Sequence, residues 1–237
     1  MSEPLVSVIL PVYNGAEFLA ESLETAVAQT YPHFEIVVLD DGSTDDSARI
    51  AKAFPRVRYF YQTNGGIADA RNNAIALAHG ELLAFLDHDD LWAHNKLELQ
   101  VAYLRQHPDI ALALAHERLF FTHGYTSEFW LNHKLMQNDH LGLVPGTWLL
   151  KKEVFYQVGP LNPRFRISDD VEWFMRFLDK GFQYGVVEET LLFKRMHGEN
   201  ASFQIQAAVQ EILMAFRASI QRRRENGVTR GGEVKIG

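Results

Sequence analysis

The 237 residues are 47 % apolar and include 16 Phe, ample for a packed core in one domain of generous size and inconsistent with global disorder. There is no Cys, which excludes a disulfide framework, a thiolate zinc site and a Cys nucleophile, and the formal net charge of −7 argues against a nucleic-acid partner. The start, Met1-Ser2-Glu3-Pro4, lacks a secretory n-region, and no apolar run approaches the roughly 20 residues of a bilayer span, so a cytoplasmic protein is expected.

The first half alternates strand and helix patterns. Leu5–Leu10 is a short β-branched run stopped by Pro11, and Phe18, Leu19, Leu23, Ala26 and Val27 follow at helical spacing. Glu35–Leu39 predicts a second buried strand, Ser47–Phe54 a helix, and Val57–Phe60 a third strand. Ile67–Ala78 predicts a helix closed by His79-Gly80, before a fourth strand that ends at Asp87. Repeated βα units of this kind predict an α/β fold with a mostly parallel central sheet flanked by helices. The second half is less regular. His94–His107 reads as a helix and Ile110–Phe120 as a strand. The stretch 121–144 has no clean period, and structure resumes over Thr147–Val158. Asp169–Gly181 predicts an amphipathic helix, a strand-like run ends at Phe193, and Gln204–Arg224 predicts a long last helix. The Gly-rich 226–237 tail is expected to be mobile. Arg222-Arg223-Arg224 reads as a solvated helix end in preference to a patch for peripheral membrane association at the inner face of the membrane.

In open sheets ligands bind beyond the carboxyl ends of the strands, and the polar clusters of this chain lie at those ends. They are Pro11-Val12-Tyr13-Asn14, Asp40-Asp41-Gly42-Ser43 and Asp87-His88-Asp89-Asp90. Taken by itself, the last cluster fits either a helix cap before Leu91-Trp92 or a site for a hard divalent ion that relieves carboxylate repulsion. Three strand ends facing one crevice favour a ligand site. The 40–47 run fails EF-hand spacing, and Asn64-Gly65-Gly66 fits neither a dinucleotide fingerprint nor a P-loop. Arg71, one turn into the next helix, could reach a phosphate or ribose, or form a surface ion pair. Asp169 and Asp170 open a helix, where the macrodipole alone accounts for acids, yet a second acidic cluster far along the chain could also supply a general base. Arg195 beside His197 suggests an anion or a metal-bound phosphate nearby.

These pieces stand in the order found in family 2 glycosyltransferases, and the chain resembles that family over roughly residues 5–202. They are Val6–Asn14, Asp40–Asp45, Asn64 through Arg71-Asn72, Phe85–Asp90 in the place of the family's DxD element, Val158-Gly159, Asp169-Asp170, and the Arg-x-His-x-x-Asn-x-Ser run at 195–202. The resemblance implies a GT-A fold over 1–203, with a Rossmann-like nucleotide-sugar-binding half (1–92) and an acceptor and catalytic half (93–203), followed by a helix and tail (204–237). It implies inverting transfer of a single sugar from a nucleotide-diphosphate sugar, a UDP-sugar first among the donors, to a glycan or lipid-linked acceptor. Pro11, Tyr13 and Asp41 would form the nucleoside pocket, with Asp41 on the base edge, and Arg71 would contact the nucleotide. Asp87 would touch ribose or sugar, Asp89 would hold Mn²⁺ or Mg²⁺, and Arg195 and His197 would contact the metal or the departing diphosphate. Asp170 would be the catalytic base. Asp169, where the family more often has Glu, would lie on the substrate beside it. The missing Gln-x-x-Arg-Trp motif argues against a processive synthase. Tyr125, Phe129, Trp130 and Trp148 could stack on acceptor sugars, with two of the four serving as core. Two other readings share the sheet, a sugar-nucleotide pyrophosphorylase and a non-catalytic nucleotide-sugar-binding module. The first should carry a Gly-rich loop before helix one, where this chain has a single glycine.

Overall fold

A computed structural model describes residues 3–122, 138–198, 200 and 205–225. Strand β1 (Val6–Val12) is buried along its whole length because it runs between β2 (Phe34–Asp40) and β4 (Leu82–Phe85), parallel to both. This position accounts for its unbroken apolar run, since a strand covered on both faces has no solvent side to alternate toward. Strand β3 (Val57–Tyr61) closes that edge. Helices α1 (Leu19–Val27), α2 (Ser47–Lys52) and α3 (Ile67–Leu77) link the four strands. Successive residues of β1 feed opposite faces. Val6, Val8, Leu10 and Val12 join Leu19, Leu23, Trp92 and Leu97 in one core layer, and Ile9 joins Val37, Phe85, Trp148 and Trp173 in the other.

The sheet continues in the order β3-β2-β1-β4, then β8 (Leu149–Lys151), β6 (Leu112–Phe121), β9 (Tyr184–Met196) and β5 (Leu91–Trp92), with a short β7 (His140–Gly142) on β6. The expected mostly parallel sheet is fully parallel over β1–β4 and mixed after them. Strand β8 is antiparallel to β4 and to β6, and β6 is parallel to the long β9. Strand β5 pairs antiparallel with β9. Leu91-Trp92 is therefore a strand, and the next helix, α4 (Lys96–Gln106), starts after Asn95. The helix-cap reading of Asp87–Asp90 fails on that geometry.

Helix α5 (Lys152–Val158) follows β8 directly, α6 (Asp169–Asp179) carries the second acidic cluster, and α7 (Ile205–Glu225) packs along α6. Two arginines of the 222–224 run are paired with α6: Arg222 Nε and Arg223 Nε donate to Asp179 at 2.9 and 2.6 Å. Among the described residues, no helix is long and apolar enough to cross a membrane. The tail at 226–237 lies outside the described residues.

Trp148 was a candidate for stacking on acceptor sugar, and its position contradicts that role. It is 1 % exposed, packs against Phe85 and Trp173 at ring-centroid distances of 5.9 and 5.4 Å, and donates Nε1–H to the Leu143 carbonyl at 3.2 Å. An indole with its N–H satisfied inside the core has no face left for a ligand. Tyr125, Phe129 and Trp130 lie outside the described residues.

Candidate active site

The strand order reverses direction of growth at β1, with β2 on one side and β4 on the other, which leaves a crevice above their carboxyl ends. That crevice has a volume of about 810 Å³ and is lined from all three ends, by Pro11 and Tyr13, by Asp41, and by Asp87 and Asp89. The entry to α6 closes it with Asp169 and Asp170, and the end of β9 adds Lys194 and His197.

The loops on the β1–β4 side hold one another. Asn14 adopts φ 48°, its N–H donates to Ser43 Oγ at 2.9 Å, and its Oδ1 accepts from the Thr44 N–H at 2.8 Å. Asp45 Oδ2 accepts from the Ala16 N–H and Oδ1 from the Ser47 N–H, so this Asp does serve the helix entry. Gly15 lies so close to the third loop that a Cβ there would stand 2.3 Å from the His88 ring. Any side chain at 15 would push the β1 and β4 loops apart.

Asp40 is structural, accepting from Ser43 N–H and Tyr59 OH, both at 2.7 Å. Asp41 lines the crevice, and its carboxylate accepts from Gln62 Nε2 at 2.7 Å and from the Gly65 and Gly66 N–H groups at 2.8 Å each. The residue expected on a base edge thus also shapes the 62–66 loop. Pro11 is buried at the crevice wall, whereas Tyr13 is 49 % exposed at its rim.

Arg71 is nearly buried and links the two acidic clusters. Its guanidinium donates to Asp87 Oδ1 at 2.7 Å and to Asp169 Oδ2 at 3.2 Å, while its Nε has no hydrogen-bond partner among the described residues. Burial disfavours its charge, but Asp87, Asp169 and Asp170 raise its pKa above the ordinary value, so it is a permanent cation. The exposed ion pair left open by sequence is thereby excluded.

Asp170 is half-buried beside this bridge, with Oδ1 accepting its neighbour's N–H (Val171) at 2.8 Å. Burial, and then the charge of Asp169, push its carboxyl up to about 7. Burial also raises Asp169, against the opposing pull of Arg71. A carboxylate that titrates near neutrality inside a crevice is suited to general-base work. Asp89 behaves oppositely. Burial works to raise it, but a 3.0 Å contact with His197 Nε2 and nearby positive charge hold it well below the usual carboxylate range.

Arg195 requires a correction. Its guanidinium donates Nε–H to the Asp89 carbonyl at 2.8 Å and pairs with Glu21 at 2.5 Å, packed over the Phe18 and Phe120 rings. It braces the 87–90 loop from outside, and it is absent from the crevice lining. Alternation along β9 is the reason: adjacent residues face opposite sides, so Lys194 turns into the crevice as Arg195 turns away.

Sequence reading missed Lys194, although the same period-2 rule could have found it. It also missed Glu211 on α7, whose carboxylate accepts from the Arg166, Ile167 and Ser168 N–H groups at 2.9, 3.0 and 2.8 Å. No local signal marks Glu211, because its partners lie more than 40 positions away.

Known proteins carry the same organisation. Residues 7–159 match the sequence profile described as Glycosyl transferase family 2. An uncharacterized glycosyltransferase of Rickettsia typhi is 33 % identical over 207 residues, 82 % of this chain and 64 % of the relative, so the chain spans less than two thirds of that protein. Among solved structures, a mannosyltransferase of Pyrobaculum calidifontis in complex with GDP-Man and Mn²⁺ superposes with a TM-score of 0.72 at 22 % identity, covering 93 % of this chain and 65 % of that one. S. aureus TarS in complex with UDP-GlcNAc gives 0.71 at 20 % identity, over 92 % and 66 % of the two chains. Those structures share the GT-A fold with this one. From the profile match across most of its length, the chain belongs to glycosyl transferase family 2.

Proposed function

We propose that this protein transfers a single sugar from a nucleotide-diphosphate sugar to an acceptor hydroxyl with inversion at the anomeric carbon. The observation that carries the reading is the placement of Asp170 in the same crevice as the ends of β1, β2 and β4, where burial and Asp169 push its carboxyl up to about 7. The donor enters over those strand ends, with its nucleoside between Pro11, Tyr13 and Asp41 and its sugar toward Asp87. Asp170 takes the acceptor's proton as the hydroxyl oxygen attacks, and the C–O bond to the diphosphate breaks on the opposite face. The Arg71 bridge fixes Asp87 and Asp169 and through them the position of this base. The neighbours solved with UDP-GlcNAc and GDP-Man support a nucleotide-sugar donor and leave the base open.

Among the described residues, no group of three His, Cys, Asp or Glu could hold a metal by itself. The donors present still fit a divalent ion, because Asp89 Oδ2 and His197 Nε2 lie 3.0 Å apart at the crevice wall. Mg²⁺ and Mn²⁺ commonly take one or two protein ligands and complete their shells with water and phosphate oxygens. Asp89 and His197 would hold such an ion, which when bound supplies charge to stabilise the leaving diphosphate. Asp89 and Asp170, both lining the crevice, favour catalysis over a pure binding module.

A thermal-shift panel of UDP-, GDP-, dTDP- and CDP-sugars, with and without Mn²⁺, tests the donor site. A ligand at about 100 times its Kd stabilises a fold by roughly 2.7 kcal/mol. At least one sugar nucleotide should raise the melt in Mn²⁺, and no shift with any of the four would remove the reading.

A further inference from the structure

Three cations line the crevice, and two have other roles or settings. Arg71 is closed onto Asp87 and Asp169, and Arg166 stands on the exposed loop leading into α6. Lys194 is fixed by β9, with its side chain 21 % exposed toward the crevice. Among the described residues its ammonium makes no hydrogen bond, and its ion-pair partner Asp90 Oδ2 stands at 3.7 Å. The buried Arg71–Asp87 pair on the same wall closes to 2.7 Å, and of the Lys and Arg pairs only Arg222–Glu172, at 3.9 Å, is as open among the described residues. Asp90 Oδ2 is itself buried without a hydrogen-bond partner. A lysine that served to neutralise Asp90 would have closed that gap. Instead its three donors remain available to the cavity. Asp90 first, and then Asp87, Asp89 and Glu117, raise its pKa above the ordinary lysine value against the effect of burial.

Resting on the donor-site reading above, we propose that Lys194 receives the diphosphate of the donor, as a built-in cation beside the Asp89–His197 pair. An ammonium is a compact point charge able to follow a phosphate oxygen without a fixed bidentate geometry. The need for it follows from the wall it sits in. Asp87, Asp89 and Asp169 repel a diphosphate, and Arg71 offers that ligand little beyond what it already gives to two carboxylates. Lys194 therefore shares with the divalent ion the work of holding the diphosphate. Some diphosphate affinity should survive removal of the metal.

Calorimetric titration of the full chain with UDP, GDP and inorganic pyrophosphate, and with uridine and guanosine, in Mn²⁺ and in EDTA, tests this. Lys194→Met should weaken the diphosphates and pyrophosphate about tenfold, equivalent to about 1.4 kcal/mol, with a larger loss in EDTA. Nucleoside affinity should stay within about twofold, and Lys194→Arg should recover most of the loss. Lys194→Gln serves if the Met variant melts early. Unchanged diphosphate affinity, or equal loss of nucleoside and diphosphate, overturns the proposal and leaves the donor site standing. A wild type that binds neither nucleotide nor pyrophosphate overturns both.

Discussion

The two halves of the crevice are built differently. On the β1–β4 side, each loop follows its strand directly and is fixed by the neighbouring loop, as Asn14 is by Ser43 and Thr44, and Asp41 by Gly65 and Gly66. On the α6–β9 side, each group depends on a partner far along the chain. Asp169 meets Arg71 across 98 positions, His197 meets Asp89 across 108, and the turn before α6 hangs on Glu211. Nucleoside binding should thus tolerate damage to the long-range braces, while turnover should not.

Four perturbations sharpen that contrast, from the largest expected effect to the smallest. Trp148→Ala should cost about 4 kcal/mol, read by urea unfolding, because it empties the layer shared by both halves. A cost under about 1 kcal/mol would place that indole outside the core. Arg71→Met removes the link between the halves and leaves the buried Asp169 and the half-buried Asp87 without their cation, a loss of about 3 kcal/mol. Its turnover should fall further than its nucleoside affinity, and equal losses would contradict the division of labour. Glu211→Ala frees three backbone N–H groups in the turn before α6 and should cost about 2 kcal/mol by the same unfolding assay. Its kcat should drop with little change in donor KM. Per pH unit the smallest effect is that of Lys96, fully buried in the core, where desolvation pushes its amine down to about 7 from 10.5. The unfolded state then binds more protons between those values, so Lys96 makes stability rise with pH across that window by at most about 1.4 kcal/mol per unit. Lys96→Met should flatten the rise, and an identical pH slope in the variant would show that the amine stays charged in the fold.

The β1–β4 half was legible because strand ends are local events. A β-branched run stopped by Pro11 or by Asp40-Asp41-Gly42 shows where the chain leaves the sheet, and ligands gather there. The other half was legible in its motifs but not in its facing. The 195–197 run was found, yet the strand continues to Met196, so its alternation puts Lys194 and not Arg195 in the crevice. Leu91-Trp92 looked like a helix entry because its strand partners, Leu192 and Phe193, lie a hundred positions away. Trp148 is chemically suited both to a sugar face and to a core, and only tertiary packing decides between them. Glu211 has no sequence signal, since a Glu on a long helix is ordinary until its partners are known.

Asp170 tests the account most directly. With its folded pKa raised to about 7 from 3.8, the unfolded state sheds its proton first, so this group makes stability fall as pH climbs between those values. Asp170→Asn should therefore be at least as stable as the wild type at pH 8. The decisive measurement is turnover of the sugar nucleotide that the panel identifies, followed as nucleotide release against pH, alongside calorimetric donor affinity. Wild-type turnover should rise with pH through about 7, and Asp170→Asn should lose about a thousandfold in turnover with donor affinity within about twofold. A variant that keeps its turnover, or a wild-type rate flat across that pH range, would contradict the assignment of the base.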